Sequence, residues 1–147
     1  MSAPNLCRVV VVDDSPFVAD TLAQILAKAQ HEVRAAYGPY LALSLVETFQ
    51  PDVLISDVVL WGMSGIELAR RVGKRSPSCK VLLISGHSSS FEGAENRAVD
   101  GKNLFTMLPK PIRPKEILDF ISNQLRLRTG STLCDPKGAE CRLNLSN

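Results

Sequence analysis

Four consecutive valines, Val9–Val12, run without polar alternation straight into two adjacent acids, Asp13 and Asp14. A β-branched run that never alternates suits a strand covered on both faces, and such strands belong to parallel sheets sandwiched between helices. Four further segments read as strands: Glu32–Ala36, Val53–Asp57, Lys80–Ile84 and Leu104–Leu108. Glu32–Ala36 is short and polar and suits a sheet edge; the other three are apolar.

Helical patterns fill the gaps. Ser15 offers an N-cap hydroxyl and Pro16 fits the first helical position. Phe17, Val18, Thr21, Leu22, Ile25, Leu26 and Ala29 then follow as one apolar stripe. Gly38-Pro39 opens a second helix through Tyr40 to Phe49, with Leu41, Leu45 and Phe49 in a row. Ser64 and Glu67 have capping-box spacing, and Ile66, Ala69, Arg70 and Val72 carry a third helix as far as Gly73. A fourth is the least supported, since Ser88-Ser89-Ser90 and Gly93 oppose it while Ala94 to Val99 permit a short one. Pro114 starts a last helix with Ile117, Leu118, Ile121 and Leu125 on one stripe. Five strand–helix units with short, right-handed crossovers give an α/β fold, a doubly wound parallel sheet covered by helices on both sides.

The 147 residues suit one domain, and 45% hydrophobic with 22% charged content is ordinary for a globular chain. The net charge of +2 lies in the segment from Arg126 onward, where Arg126, Arg128, Lys137 and Arg142 outnumber Asp135 and Glu140. That is no nucleic-acid footprint, and direct DNA binding is not expected. Met1–Leu6 lacks a basic segment followed by an apolar one, and no run reaches the ~18 apolar residues of a membrane span. A cytoplasmic protein with no membrane association is expected. Cys7, Cys79, Cys134 and Cys141 are too far apart for CxxC metal spacing, and Cys7 and Cys79 read as reduced thiols.

In a sheet of this kind the functional crevice lies beyond the carboxyl ends of the strands. Those ends carry Asp13 and Asp14 on the first strand, Asp57 on the third, Ser85-Gly86-His87 on the fourth and Lys110-Pro111 on the fifth. For Asp13 and Asp14, complementing the helix dipole is the alternative, but two adjacent acids exceed that need. Three carboxylates in one crevice repel one another unless a cation sits among them, and an oxygen-only set favours Mg²⁺. A lysine beside them points to a further anion, and phosphate is the usual companion of Mg²⁺. Asp57 is then placed as a nucleophile toward phosphorus, with the Ser85 hydroxyl and backbone N–H groups near Gly86 holding phosphoryl oxygens.

These residues, in this order and on these strand ends, closely resemble the receiver domain of two-component response regulators, over about residues 7–125. The resemblance implies a flavodoxin-like sheet of order 2-1-3-4-5 with five helices, a domain over residues 7–128 and a polar tail over 129–147. It implies that Asp57 accepts a phosphoryl group from a histidine kinase or phosphotransfer protein. Mg²⁺ would be held by Asp13, Asp14, Asp57 and the Val59 carbonyl, with Lys110 on the phosphate and Ser85 at the switch Ser/Thr position. The Lys110–Pro111 bond is typically cis in that family. Met107 stands where an aromatic switch residue is usual, with Phe105 as its same-face neighbour. Trp61 stands where proline is common, and Val59 and His87 occupy the positions that tune phosphoryl lifetime; His87 on its own reads as an exposed loop histidine.

The leading expectation is a stand-alone signalling switch, not an enzyme on external substrates. It would act on a downstream protein through the fourth helix, fifth strand and fifth helix, or by relay, as a monomer or weak dimer. Fewer than 25 residues follow the last helix, too few for a helix-turn-helix domain. The alternatives are a phosphate-independent interaction module on the same fold and an aspartyl-phosphate phosphohydrolase. Val59, two residues beyond Asp57, supplies no acid for a leaving group in the latter. The fold alone also allows a flavodoxin-type flavin carrier, but a carboxylate cluster suits a phosphate-bearing cofactor poorly without a metal.

Overall fold

The computed structural model of the chain describes residues 6–86 and 105–129. Its five strands are β1 (Arg8–Val12), β2 (Glu32–Ala36), β3 (Val53–Asp57), β4 (Lys80–Ser85) and β5 (Thr106–Pro109). They form one sheet of order β2-β1-β3-β4-β5, parallel throughout. The described helices are α1 (Pro16–Lys28), α2 (Pro39–Thr48), α3 (Gly65–Arg75) and α4 (Pro114–Thr129). The helix expected near Ala94–Val99, with His87 and the tail bearing Cys134 and Cys141, lies outside the described residues.

The valine run explains the layering. Side chains alternate faces along a strand. Val10 and Val12 therefore join Ala42, Leu43 and Val46 of α2 and Leu68, Ala69 and Val72 of α3 in one core. Val9 and Val11 point the other way, onto Ala19 and Leu26 of α1 and Ile117, Ile121 and Leu125 of α4. All four valines are at most 1% exposed, so an alternating sequence would have put polar groups into one of the cores. β2 is an edge strand, which its half-exposed Glu32 and Arg34 suit.

Several helix details differ from the sequence expectation. In α1 the buried residues are Ala19 and Leu26, while Phe17 is 79% exposed and Val18 and Thr21 are also outside the core. The apolar stripe is wider than the sheet can cover. In α2 Pro39, Ala42, Leu43 and Val46 are buried; of the expected row, Phe49 lies in the core and Leu45 packs against it, while Leu41, one turn nearer the helix start, is 49% exposed. α3 runs through Gly73 to Arg75, where Ser76 N–H bonds Val72 O. Ser64 accepts from Glu67 N–H as a capping box requires, but the Glu67 carboxylate pairs with Arg70 and Arg71, each at 3.1 Å. β5 lies within Thr106–Pro109, shifted from Leu104–Leu108, and as an edge strand it tolerates Pro109 in its last position.

Cys7 and Cys79 are buried free thiols, and burial pushes the Cys79 thiol up to about 12. His31 Nδ1 accepts the Cys7 backbone N–H at 3.1 Å, at the end of the sheet away from the strand carboxyl ends. Burial holds the His31 imidazole below its ordinary value. A depressed histidine pKa means the unfolded chain binds the proton more readily, so this contribution is present above pH ~6.5 and is lost as pH falls through the folded value. Urea midpoints are therefore expected to fall more between pH 7 and 5 in the wild type than in His31→Gln. Parallel curves would show that His31 does not titrate against folding.

Candidate functional site

Asp57 is the last residue of β3, the middle strand of the sheet, and the chain leaves the core there. Its backbone is fixed by neighbours: Val58 N–H bonds Ile84 O on β4 at 3.0 Å, and Ser56 Oγ donates to Asp57 O at 2.8 Å. The side chain is 17% exposed and meets Lys110, whose Nζ stands 3.3 Å from Asp57 Oδ2. Lys110 arrives from the end of β5, anchored by its own N–H on Ser85 O at 2.8 Å. The Lys110–Pro111 peptide is cis. The lysine stem passes Gly86 closely enough that a Cβ there would lie 3.6 Å from Lys110 Cδ.

Asp13 and Asp14 follow β1 on the neighbouring strand end. Asp13 Oδ1 accepts Ser15 N–H at 2.9 Å. Burial first, then the negative charges of Asp57 and Asp14, push the Asp13 carboxyl above its ordinary value, against the lowering by the Ser15 N–H and Lys110. Three carboxylates thus act on one another in one crevice. Asp14 Oδ2 accepts Trp61 N–H at 2.8 Å from the loop after β3. Val59, in the same loop, is 69% exposed, and its N–H reaches Asp57 Oδ1 at 3.4 Å.

Ser85 is buried at the end of β4, one residue past the partner of Asp57 in the register. Met107 pairs with Leu83 in register and packs, half-buried, against the core on the α2–α3 side, which also holds Phe105. An apolar cavity of about 610 Å³ opens from the site, with Asp13, Asp57 and Lys110 in its lining, and runs between Phe17, Val18, Leu22 and Ile25 of α1 and Pro111 and Ile112 after β5. That cavity accounts for the outward half of the α1 stripe.

Two requirements of the site carried no signal in residue type. Gly65 begins α3 directly under Asp57: a Cβ there would lie 2.3 Å from Asp57 O and 2.9 Å from Val58 Cα. The Trp61–Asp14 bond uses a backbone N–H, which any residue but proline supplies.

No three His, Cys, Asp or Glu side chains among the described residues stand close enough together to hold a metal ion. The donor chemistry nevertheless suits a hard cation. All three side chains are carboxylates, Asp57 and Asp14 help push the Asp13 carboxyl above its ordinary value, and the described contacts leave Asp13 Oδ2 and Asp14 Oδ1 without a hydrogen bond. Mg²⁺ keeps several waters and does not require a closed protein cage.

A parallel β2-β1-β3-β4-β5 sheet with acids ending β1 and β3 and a lysine after β5 defines a CheY-like, flavodoxin-type fold. The family model for the response regulator receiver domain matches residues 9–122, and the chain belongs to that family. It is 32% identical over 124 residues to the phosphoglycerate transport system transcriptional regulatory protein PgtA of Salmonella typhimurium, covering 83% of this chain and 29% of that protein. A protein-glutamate methylesterase/protein-glutamine glutaminase of Burkholderia thailandensis is 30% identical over 137 residues, 90% of this chain and 38% of the relative. The chain thus spans well under half the length of either. Among solved structures, the chemotaxis response regulator CheY4 of Vibrio cholerae superposes with a TM-score of 0.69 at 26% identity, over 81% of this chain and 98% of that one. Receiver domains are signalling modules of two-component systems. No described helix is long and apolar enough to cross a membrane.

Proposed function

We propose that the protein is a phosphorylation-controlled switch in which Asp57 accepts a phosphoryl group from a histidine kinase or a phosphotransfer protein. The observation that carries this reading is the Lys110 ammonium 3.3 Å from Asp57 Oδ2 at the end of the central strand, with two further acids on the neighbouring strand end. An Asp57 oxygen attacks phosphorus, the bond from phosphorus to the donor breaks, and the donor departs with that electron pair. Lys110 faces the negative charge on the phosphoryl oxygens, with Ser85 and the backbone at Gly86 as further donors. Asp13, Asp14 and Asp57, with the Val59 carbonyl, would hold Mg²⁺, which when bound offsets charge on the transferred group. Ser85 and Met107 would read the new charge out to a downstream protein surface, Met107 by repacking its flexible thioether in place of an aromatic rotation.

Incubation with acetyl phosphate and Mg²⁺ is expected to give a single phosphoryl adduct by intact mass. The adduct should vanish when EDTA is added beforehand and be absent from Asp57→Asn. A folded wild-type chain that takes no adduct from acetyl phosphate or from a partner kinase would refute the switch. A second reading, a phosphate-independent interaction module, is favoured by the three acids not closing on one point. It predicts that negative result.

A further inference from the structure

β2 ends the sheet, and no described strand pairs with its outer edge. Its inner edge is framed by two bonds to the β1 side: Glu32 N–H donates to Cys7 O at 3.0 Å, and Asp13 N–H donates to Ala36 O at 3.1 Å. In a parallel ladder, alternate residues turn both backbone groups to the same neighbour. Glu32, Arg34 and Ala36 therefore face β1, while Val33 and Ala35 turn their N–H and C=O groups to the open edge. The Glu32 and Arg34 side chains, 52% and 51% exposed, share one face of the strand with opposite charges two residues apart. Glu32 meets Arg8 and Arg34 only loosely, at 3.6 and 3.7 Å. Val33 and Ala35 lie half-buried on the other face, against the core beneath α1 and α4. Unlike β5, which ends in Pro109, β2 holds no proline to interrupt a further strand.

We propose that β2 is a self-complementary edge through which two copies of this chain join into one continuous sheet. Antiparallel pairing about a two-fold axis at Val33 lets each Val33 N–H donate to the Val33 C=O of the second copy. The same axis sets each Glu32 opposite Arg34 of the second copy, and each Arg34 opposite its Glu32. These are the non-hydrogen-bonded positions, where facing side chains come closest. Other axes lose that match. An axis at Glu32 or at Arg34 opposes like charges, and one at Ala35 leaves Glu32 without a facing arginine. Charged residues on an edge strand ordinarily discourage pairing, but in this order they attract a second copy. A two-fold contact uses one patch twice, so one strand of five residues gives two facing ion pairs. So small a contact is weak, with half-association expected at about 0.1–1 mM chain. The pairing stands apart from the phosphoryl switch and does not depend on it.

In sedimentation equilibrium up to about 1 mM, the wild type is expected to dimerise, less so as added salt screens the facing charges. Arg34→Glu and Glu32→Arg each reverse both facing pairs, so each should weaken self-association about tenfold or more. An equimolar mixture of the two variants sets acids against arginines again, and it is expected to associate at least as tightly as the wild type. A wild type that stays monomeric throughout, or variants that dimerise as it does, would overturn the proposal. So would a mixture no tighter than its components. Should a variant fail to fold, amide exchange on the unmodified chain decides alone. Raising the chain concentration should then protect the Val33 and Ala35 N–H groups several-fold, and exchange unchanged at both would overturn the pairing.

Discussion

Gly65→Ala is expected to destabilise the fold by about 3 kcal/mol or more, at the upper end of what overpacking costs. The added methyl would lie 2.3 Å from Asp57 O, 2.9 Å from Val58 Cα and 3.1 Å from Asp57 C. All three are backbone atoms, so no side chain can swing aside. Either the start of α3 retreats or the end of β3 moves. Retreat breaks the 2.7 Å bond from Gly65 N–H to Val58 O and disturbs the Ser64 cap. Movement of β3 displaces Asp57 relative to Lys110. Gly86→Ala is the control, because among the described residues its Cβ would meet only Lys110 Cδ, at an ordinary 3.6 Å. Urea unfolding should place Gly86→Ala within about 0.5 kcal/mol of the wild type, as for most surface changes. Gly65→Ala at that same level would show that the α3 start yields freely.

The contrast between these glycines shows what the chain discloses before it is folded. Gly86 directly follows β4 and Gly65 opens α3 after the β3 loop, and nothing in residue type separates them; only the approach of α3 to the β3 terminus does. The features legible in the sequence are those where residue type and backbone period coincide. The unbroken valines fix a sheet covered on both faces, and Asp13, Asp14, Asp57 and Lys110 are charged groups at strand ends, where a crevice is the place for them. Ser15-Pro16 states its own cap, with Val18 N–H reaching Ser15 Oγ at 3.5 Å. Periodicity alone shows that a helix has an apolar side, not how much of it the neighbours cover. Phe17, Val18 and Thr21 therefore read as core, though they stand outside it beside the α1 cavity. Leu41 fails for a related reason: Leu45 and Phe49 of its row do reach the core, but the first turn of α2 leaves Leu41 uncovered. The helix end misread at Gly73 reflects the weight given to one glycine, whose helix-interior cost of roughly 1 kcal/mol is offset by the packing of Leu68, Ala69 and Val72. The Trp61–Asp14 bond was beyond reach because a peptide N–H leaves no mark in the sequence.

Lys110→Met is expected to slow phosphorylation of Asp57 by at least about 100-fold while leaving stability nearly unchanged, the range for removing one preorganised charge-stabilising donor. The two halves of that expectation have different physical origins. In the resting protein the Lys110–Asp57 pair is partly solvated, with the lysine side chain 45% exposed and the aspartate 17%. Ion pairs so placed contribute roughly 0–1 kcal/mol, since water screens them and ordering the long side chain opposes them. Methionine retains most of the apolar stem that lies along Gly86, so little packing is lost. During transfer the balance changes. In the proposed transfer, negative charge would collect on the phosphoryl oxygens beside Asp57, and the ammonium is already in place, with its backbone anchored on Ser85 O at 2.8 Å. Little reorganisation is then needed at the moment of reaction, which is why a pair nearly neutral for folding weighs heavily on rate. Lys110→Arg keeps the charge but replaces a compact ammonium with a wider planar fork, so an intermediate rate is expected. The check is the initial rate of adduct formation from acetyl phosphate at saturating Mg²⁺, with urea midpoints measured on the same chains. A methionine variant within about threefold of the wild-type rate, and equally stable, would remove Lys110 from the chemistry, because the loss of a preorganised cation is not compatible with so small a change.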